Sequence, residues 1–224
     1  VALINPAQTA INSVVTIICV VDAQQTQEVL FGPNGVAAAM ELGRVVMLCP
    51  TMAPQDVERF AHDLIPFGLH TIDAPMSGGP VRASDGSMSL MVACGPTVFE
   101  RHRALIEALS SKVFRISERV GDGARTKLVN NLLAGINLVG AAEVMVMAQK
   151  MGLDAGQTLD VIEQSSGQSW IGSDRMRRAI AGDQHADTLG PAELVRRQRE
   201  VVDMRRDRAQ VQLAQRLHRV GVEH

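Results

Sequence analysis

The sequence predicts an α/β unit followed by an all-helical unit, and three observations lead to this expectation. Short apolar runs alternate with helical patterns over the first two-thirds of the chain. Several of these runs are rich in Val and Ile and apolar on both faces, as in strands of a sheet covered on both sides. From Gly121 the pattern changes to one long apolar segment without proline. We therefore assign residues 1–118 to the α/β unit and begin the helical unit at residue 119.

Five segments are predicted as strands: 14–21 (VVTIICVV), 45–50 (VVMLCP), 69–75 (LHTIDAP), 88–93 (MSLMVA) and 112–117 (KVFRIS). Between them, segments 54–67 and 96–109 each begin with a proline suited to a first helical turn. Strand–helix–strand alternation predicts right-handed crossovers and a mainly parallel sheet. The segment 121–151 is apolar on most faces, so we expect other helices or a partner subunit to cover it.

Composition argues against several classes of function. Of the 224 residues, 46% are hydrophobic and 21% charged, with a formal net charge of −2. These values predict a soluble, core-forming protein with no nucleic-acid or membrane partner. The cysteines Cys19, Cys49 and Cys94 are far apart and lie in apolar segments. This spacing predicts buried structural thiols, no metal site and a reducing cytoplasm.

The segment DAPMSGGPVRASDGSMSLMVA (73–93) places Ser77, Gly78 and Gly79 at the carboxyl end of a predicted strand. Ligands gather at such ends in parallel α/β sheets. Glycine lets a ligand approach the main chain, and consecutive N–H groups with a serine hydroxyl can hold a carboxylate. A tight turn between two strands is the alternative explanation, and the residues alone leave both open.

The segment GDGARTKLVNN (121–131) places Lys127 in the first or second turn of the long predicted helix, and Asn131 on the same face four residues later. Only three of the 22 Lys and Arg residues are lysines, so this one stands out. A partly desolvated lysine near a positive helix end has its charged form disfavoured, so its pKa falls toward the range of a general acid or base. A solvated first turn with a helix cap is the alternative.

The two motifs together resemble the β-hydroxyacid dehydrogenases, which include 3-hydroxyisobutyrate, tartronate semialdehyde and threonate dehydrogenases. AQQTQEVLFGPNGVAAAM (23–40) and LCPTMAPQD (48–56) are also similar to this family, closest to its threonate branch. The resemblance implies that residues 1–118 are the C-terminal portion of a dinucleotide-binding domain with a partial Rossmann-like sheet. It implies a helical dimerisation and substrate domain over residues 119–187.

The resemblance also implies an activity and its residues. The expected reaction is oxidation of a small 3-hydroxy acid, of the threonate, 3-hydroxyisobutyrate or glycerate type, with NAD or NADP, by a cytoplasmic homodimer or homotetramer. The implied substrate-side residues are Lys127 as acid/base and, for binding, Ser77, Gly78, Gly79 and Asn131. The implied cofactor-side residues are Val20 and Val21, which end the first predicted strand, and Thr51, which follows the second.

The chain departs from the family pattern in two places. The glycine-rich G-x-G-x-x-G turn has no counterpart, because FGPNG (31–35) and MSGG (76–79) lack its spacing. We therefore expect a chain that starts about halfway through the dinucleotide-binding domain, with an open sheet edge and weak NAD(P) binding. Residues 188–224, an Arg-rich segment, are expected to form an unassigned helical tail. A catalytically inactive remnant or assembly module is the alternative function.

Overall fold

The computed structural model describes residues 5–182, so the predicted Arg-rich tail lies outside the described residues. The elements follow in chain order: α1 (Pro6–Ala10), β1 (Val15–Ile18), α2 (Ala23–Phe31), β2 (Val45–Leu48), α3 (Pro54–Leu64) with a 3-10 turn (Ile65–Phe67), β3 (His70–Asp73), β4 (Met76–Ser77), α4 (Gly79–Ser84), β5 (Ser89–Ala93), α5 (Pro96–Leu109), β6 (Lys112–Ser117), α6 (Asp122–Lys150), α7 (Ala155–Glu163) and α8 (Trp170–Ile180). The five predicted strands are all present, and β4 is an addition.

The strands form one mixed sheet in the order β1-β2-β3-β5-β4, with β6 also paired to β5. The pairs β1–β2, β2–β3 and β5–β6 are parallel, as predicted. Three of the five strand pairs are thus parallel, so the sheet is mainly parallel as predicted, but β5 runs antiparallel to β3 and β4. Residues 78–88 join β4 directly to β5, and a connection of this kind suits an antiparallel pair, since parallel strands need a crossover of about a dozen residues or more.

Helices cover both faces of the sheet, as the continuous apolar runs predict. All four residues of β2 are buried. Val46 and Leu48 point into a cluster formed with α2 and α3, whereas Val45 and Met47 point into a second cluster formed with α5. Because successive side chains of a strand face opposite sides, both clusters require apolar residues from the same strand.

The chain divides into two compact units between Asn130 and Asn131. The first contains the sheet, its helices and residues 122–130 of α6. In the second, which contains the rest of α6 with α7 and α8, Arg177 donates a hydrogen bond to Asp160 at 2.9 Å. The boundary predicted after residue 118 falls just past the end of β6.

Helix α6 is the long apolar helix predicted from the sequence, within one residue at each end. In the described part of the chain it is the one helix long and apolar enough to cross a membrane by length and composition alone. Several of its apolar side chains are exposed, including Leu132, Leu133 and Ile136. The covering predicted for this helix is therefore incomplete among the residues that the structure describes.

The prediction of buried cysteines is wrong at one position. Cys49 and Cys94 are buried, but Cys19 is exposed. Cys19 follows β1, which is the edge strand of the sheet and pairs only with β2 among the described strands. An edge position leaves one side of the strand end uncovered, which composition alone does not reveal.

Candidate active site

The predicted cofactor-side residues lie at one edge of the sheet. Because β1, β2 and β3 are parallel, their carboxyl ends meet there. Val20 and Val21 follow β1, Thr51 follows β2, and Asp73 ends β3. Thr51 and Val21 are exposed and Val20 is half-buried. The sheet therefore brings the predicted cofactor residues together.

Asp73 holds the beginning of α6. Its side chain is only 1% exposed, and Oδ2 accepts hydrogen bonds from the main-chain N–H groups of Gly121 at 2.8 Å and Ala124 at 3.1 Å. N–H groups at the start of a helix lack partners within the helix, and a carboxylate there also interacts favourably with the helix dipole. This role of Asp73 was not predicted from the sequence, where an acidic residue ending an apolar strand was the available signal.

Burial and hydrogen bonding act in opposite directions on the Asp73 carboxyl. Burial raises its pKa to about 6, while the hydrogen bonds from the N–H groups of Ala124, Gly121 and Gly123 lower it. Removal of the carboxylate from water is the larger effect. The group therefore changes charge in the mildly acidic range, close to the start of the helix that carries Lys127.

Two glycines allow α6 to begin this close to Asp73. Gly121 has a φ of +99°, in the region that favours glycine. A Cβ on Gly123 would lie 2.7 Å from the main-chain oxygen of Met91 and 2.9 Å from Oδ2 of Asp73. The GDG sequence before the predicted helix therefore serves a close approach between helix and strand.

The first turns of α6 run along the line of β3 and β4. The pairs Asp73↔Ala93 and Ser77↔Ser89 keep one register against β5, so β3 and β4 follow a single line. Asn130 Nδ2 donates to Ser77 Oγ at 3.5 Å, the outer limit of a hydrogen bond. The two sequence motifs thus touch at two points, at Asp73 and at Ser77.

Lys127 lies on α6 between these two contacts and is only 7% exposed. Burial lowers its pKa to about 8, the direction predicted from partial desolvation. Within residues 5–182, no carboxylate forms an ion pair with its ammonium group. A lysine in this environment can exchange a proton near neutral pH.

Gly78 and Gly79 form the turn that follows β4. Their φ angles are +141° and +71°, and a Cβ on Gly78 would lie 2.8 Å from Cβ of Arg82. Backbone geometry therefore explains both glycines as turn residues. A Cβ on Gly79 would meet no atom within 4 Å, so its main chain is also accessible to a ligand.

Asn131 is the first residue of the second unit. It follows Lys127 by four residues in α6, so both lie on the same face of the helix. Its neighbour Asn130 makes the contact with Ser77. The predicted role of Asn131 in orienting a substrate stays a prediction.

The residues present fit one end of a dinucleotide better than the other. Thr51 and Val20 offer exposed or half-exposed groups for a nicotinamide. The helices after β1 and β2 do not suit a pyrophosphate: the Asp22 carboxylate already caps α2, accepting from Gln25 N–H at 2.8 Å, and α3 begins with Pro54, which has no N–H.

Comparisons with known proteins match both units. Residues 2–117 match the family model of the NAD-binding domain of 6-phosphogluconate dehydrogenase. Residues 121–190 match the model of the NAD-binding domain of NADP-dependent 3-hydroxyisobutyrate dehydrogenase. The first match covers slightly more than half of the chain.

Individual proteins similar to this chain include dehydrogenases of small hydroxy acids. An L-threonate dehydrogenase of Escherichia coli K12 is 38% identical over 75% of this chain and 55% of its own length. A crystal structure of a 3-hydroxyisobutyrate dehydrogenase from Salmonella typhimurium is 35% identical, with a TM-score of 0.74 over 80% of this chain and 62% of that one. A structure of Psf3 in complex with NADP+ and 2-OPP is 28% identical, with a TM-score of 0.78 over 87% of this chain and 70% of that one. The chain thus spans a little over half the length of the curated relatives it matches.

Gly123→Ala should destabilise the first unit. The added methyl group would meet the main-chain oxygen of Met91 at 2.7 Å, which forces α6 away from Asp73 at a cost of about 1–3 kcal/mol. Gly95→Ala is the matched control, because its φ of −57° suits alanine and a Cβ there would meet no atom within 4 Å. Thermal unfolding should give a lower midpoint for Gly123→Ala alone, and equal midpoints for both variants would contradict the close approach.

Asp73→Asn should remove a pH dependence from the free energy of unfolding. Because burial raises the pKa of Asp73 from 3.8 to about 6, the folded protein holds this proton more tightly than the unfolded chain. The contribution of Asp73 to the free energy of unfolding is fully present below about pH 4, and it falls by roughly 3 kcal/mol as the pH rises through 6. Denaturant unfolding at pH 4 to 7 should show the wild type losing stability relative to Asp73→Asn.

Asp85→Asn provides a control of opposite sign. Hydrogen bonds from Ser87 hold the pKa of Asp85 below its usual range, so its contribution is present at higher pH and lost as the pH falls. The free energy of unfolding of the wild type minus that of the variant should therefore increase with pH for Asp85→Asn and decrease with pH for Asp73→Asn. A constant difference for Asp73→Asn across the series would contradict the assignment.

Proposed function

Because the chain belongs to the β-hydroxyacid dehydrogenase family, we propose that it acts as an NAD(P)-dependent oxidoreductase. The proposed reaction is oxidation of a small 3-hydroxy acid, of the threonate, 3-hydroxyisobutyrate or glycerate type, by hydride transfer. Relatives named for L-threonate and 3-hydroxyisobutyrate are dehydrogenases of small hydroxy acids. The observation that carries the proposal is the buried Lys127 on α6, between the contacts at Asp73 and Ser77.

The substrate carboxylate is proposed to bind at the turn after β4. The Ser77 hydroxyl and the main-chain N–H groups of Gly78 and Gly79 would donate hydrogen bonds to it. Support comes from the open space at Gly79 and from the contact between Asn130 and Ser77. Asn131 would orient the substrate from the same face of α6 as Lys127.

Lys127 is proposed as the acid/base, because its burial lowers the pKa of its amine. NAD or NADP, when bound, would supply the acceptor for the hydride of the hydroxyl-bearing carbon. Lys127 in its amine form takes the hydroxyl proton onto Nζ, and in the reverse reaction the ammonium returns it. With the pKa lowered to about 8 by burial, both forms are available near neutral pH, which general acid–base catalysis requires. Thr51 and the main chain of Val20 and Val21 would contact the nicotinamide.

A catalytically inactive remnant or assembly module is the second candidate. It is favoured by the Asp22 carboxylate that caps α2 and by the proline that begins α3, because neither helix start suits a pyrophosphate. On either candidate we expect NAD or NADP to bind this chain weakly. Turnover at millimolar cofactor separates the two candidates.

The family contains soluble dehydrogenases, so α6 is best understood as a helix covered by protein, and we infer a soluble, cytoplasmic assembly. Leu132, Leu133 and Ile136 are all more than half exposed, and water is an unfavourable environment for so continuous an apolar face. We propose that a second copy of the chain covers it, in a homodimer or homotetramer. No nucleic acid takes part in this proposal.

Lys127→Ala should lower the rate of hydroxy-acid oxidation by about 10²–10⁴-fold, since it removes the proton acceptor. Lys127→Arg should not restore the rate, because a guanidinium stays protonated at neutral pH. The measurement is NAD(P)H formation from threonate, 3-hydroxyisobutyrate and glycerate at millimolar cofactor. In the wild type the rate should rise as the pH passes through about 8, where the lysine loses its proton.

Lys112→Ala and Lys150→Ala are the controls and should keep the wild-type rate. Wild-type turnover in Lys127→Ala would reject the catalytic role and leave the lysine as a buried helix residue. Complete absence of turnover in a folded wild-type chain would favour the remnant.

Ile136→Glu should convert the assembly to monomers, because it places a charge in an apolar contact between copies. Gln149→Glu, which adds the same charge at an exposed position on the opposite face of the helix, is the control and should leave the assembly intact. Light scattering after size exclusion at micromolar concentration gives the mass. A monodisperse wild-type monomer would contradict the proposed covering.

A further inference from the structure

Two cysteines lie opposite each other at the carboxyl ends of neighbouring parallel strands. The register pairs Ile18 of β1 with Leu48 of β2, and Cys19 and Cys49 are the next residue of each strand. The ladder continues to them, because Cys49 N–H donates to the main-chain oxygen of Ile18 at 3.1 Å. Neighbouring strands lie about 4.8 Å apart and paired residues point to the same face. This spacing falls within the Cα separation of about 4.4–6.8 Å that a disulfide bridges.

The two sulfur atoms interact directly. The Cys49 thiol donates a hydrogen bond to the Cys19 sulfur, which lowers the pKa of Cys19 to about 7 although burial opposes the shift. The same hydrogen bond, with burial, raises the pKa of Cys49 far above its usual value. Cys19 is exposed and Cys49 is buried. An exposed thiolate beside a protonated thiol is the arrangement of an attacking and a resolving cysteine.

Cys94 differs from this pair in position and chemistry. It follows β5, and β3 lies between β5 and β2 in the sheet. Cys94 is buried, and burial raises the pKa of its thiol to about 11. It therefore offers little thiolate and provides an internal comparison for the other two cysteines.

We propose that Cys19 and Cys49 form a reversible intramolecular disulfide between the ends of β1 and β2, with Cys19 as the site of attack on low-molecular-weight disulfides such as oxidised glutathione. This modification site depends on the strand register and the sulfur contact, and it stands independently of the proposed dehydrogenase activity. It replaces the expectation from the sequence that all three cysteines are buried structural thiols.

The exchange proceeds in two balanced steps. The Cys19 thiolate attacks one sulfur of oxidised glutathione, forms a mixed disulfide and releases one glutathione thiolate, which takes a proton from water. Cys49 then attacks the Cys19 sulfur, and its proton passes to the second departing glutathione. The two protein thiols lose two electrons and two hydrogens in total, and one glutathione disulfide becomes two glutathione thiols.

Formation of the mixed disulfide at Cys19 makes the Cys49 thiol easier to ionise. The largest cause of the raised pKa of Cys49 is its hydrogen bond to Cys19, and a Cys19 sulfur held in a mixed disulfide no longer carries the negative charge that this hydrogen bond stabilises. Burial alone then opposes ionisation of Cys49. The nearby Cys49 can therefore displace the second glutathione.

The disulfide would join the two strand ends next to the proposed cofactor contacts. Val20 directly follows Cys19, and Thr51 follows Cys49 by two residues. Bridging the sulfurs fixes the spacing of these two chain segments. A change in cofactor affinity on oxidation is a consequence to measure after the disulfide itself has been established.

The test treats the folded, fully reduced chain with oxidised glutathione at pH 8 and measures intact mass, followed by peptide mapping without reductant. We expect a loss of about 2 Da, one Cys19–Cys49 cross-linked peptide, and full reversal by dithiothreitol. Cys94→Ser should react like the wild type. Cys19→Ser should not form the bridge, and Cys49→Ser should stop at a single glutathione adduct on Cys19.

A second readout tests the sulfur contact without an oxidant. Cys49→Ser removes the thiol that stabilises the Cys19 thiolate, so alkylation of Cys19 by iodoacetamide at pH 7 should slow by about tenfold. Cys94→Ser should leave that rate unchanged. This measurement stays informative if either cysteine variant is less stable, because circular dichroism on the same sample reports whether the chain is folded.

Several outcomes would overturn the proposal. They are a lasting glutathione adduct in the wild type, a Cys19–Cys19 bridge between two chains on a non-reducing gel, and no reaction under these conditions. Equal rates of bridge formation in the folded chain and in the chain unfolded by urea would also overturn it, since the strand register would then play no part.

Discussion

The site depends first on the buried carboxylate of Asp73. It accepts hydrogen bonds from the N–H groups of Gly121 and Ala124, and these bonds fix where α6 begins relative to the end of β3. The contact therefore also positions the side chains on the next two turns of α6, including Lys127. The carboxylate also supplies partners for helix N–H groups that would otherwise be buried without one, which is costly in a core.

The line formed by β3 and β4 then determines what lies beside α6. Because Asp73 and Ser77 keep one register against β5, the line of β3 continues into β4, and Ser77 of β4 reaches Asn130 of the helix. Lys127 is buried between these contacts without an ion-pair partner among the described residues. Desolvation alone lowers its pKa, a stability cost that a purely structural lysine would avoid by reaching water.

The carboxyl ends of β1 and β2 carry two neighbouring cysteines, Cys19 and Cys49. The edge position of β1 exposes Cys19, while β2, covered on both faces, keeps Cys49 buried. The same parallel register that brings Val20 and Thr51 to one edge of the sheet therefore places an exposed sulfur against a buried one. The proposed cofactor contacts and the proposed thiol exchange share this edge because parallel strands end together.

The sequence by itself determined the local elements and both motifs. The apolar runs predict the strands, the prolines predict the starts of α3 and α5, and the residues of α6 are identified within one position at each end. These features depend on periodicity and on single-residue preferences that act over a few residues. Only the tertiary structure decided the antiparallel direction of β5, the role of Asp73, the contact of Ser77 with Asn130 rather than Asn131, and the exposure of Cys19. Each of these depends on which distant segment lies alongside, because strand register and burial are set by long-range packing rather than by local pattern.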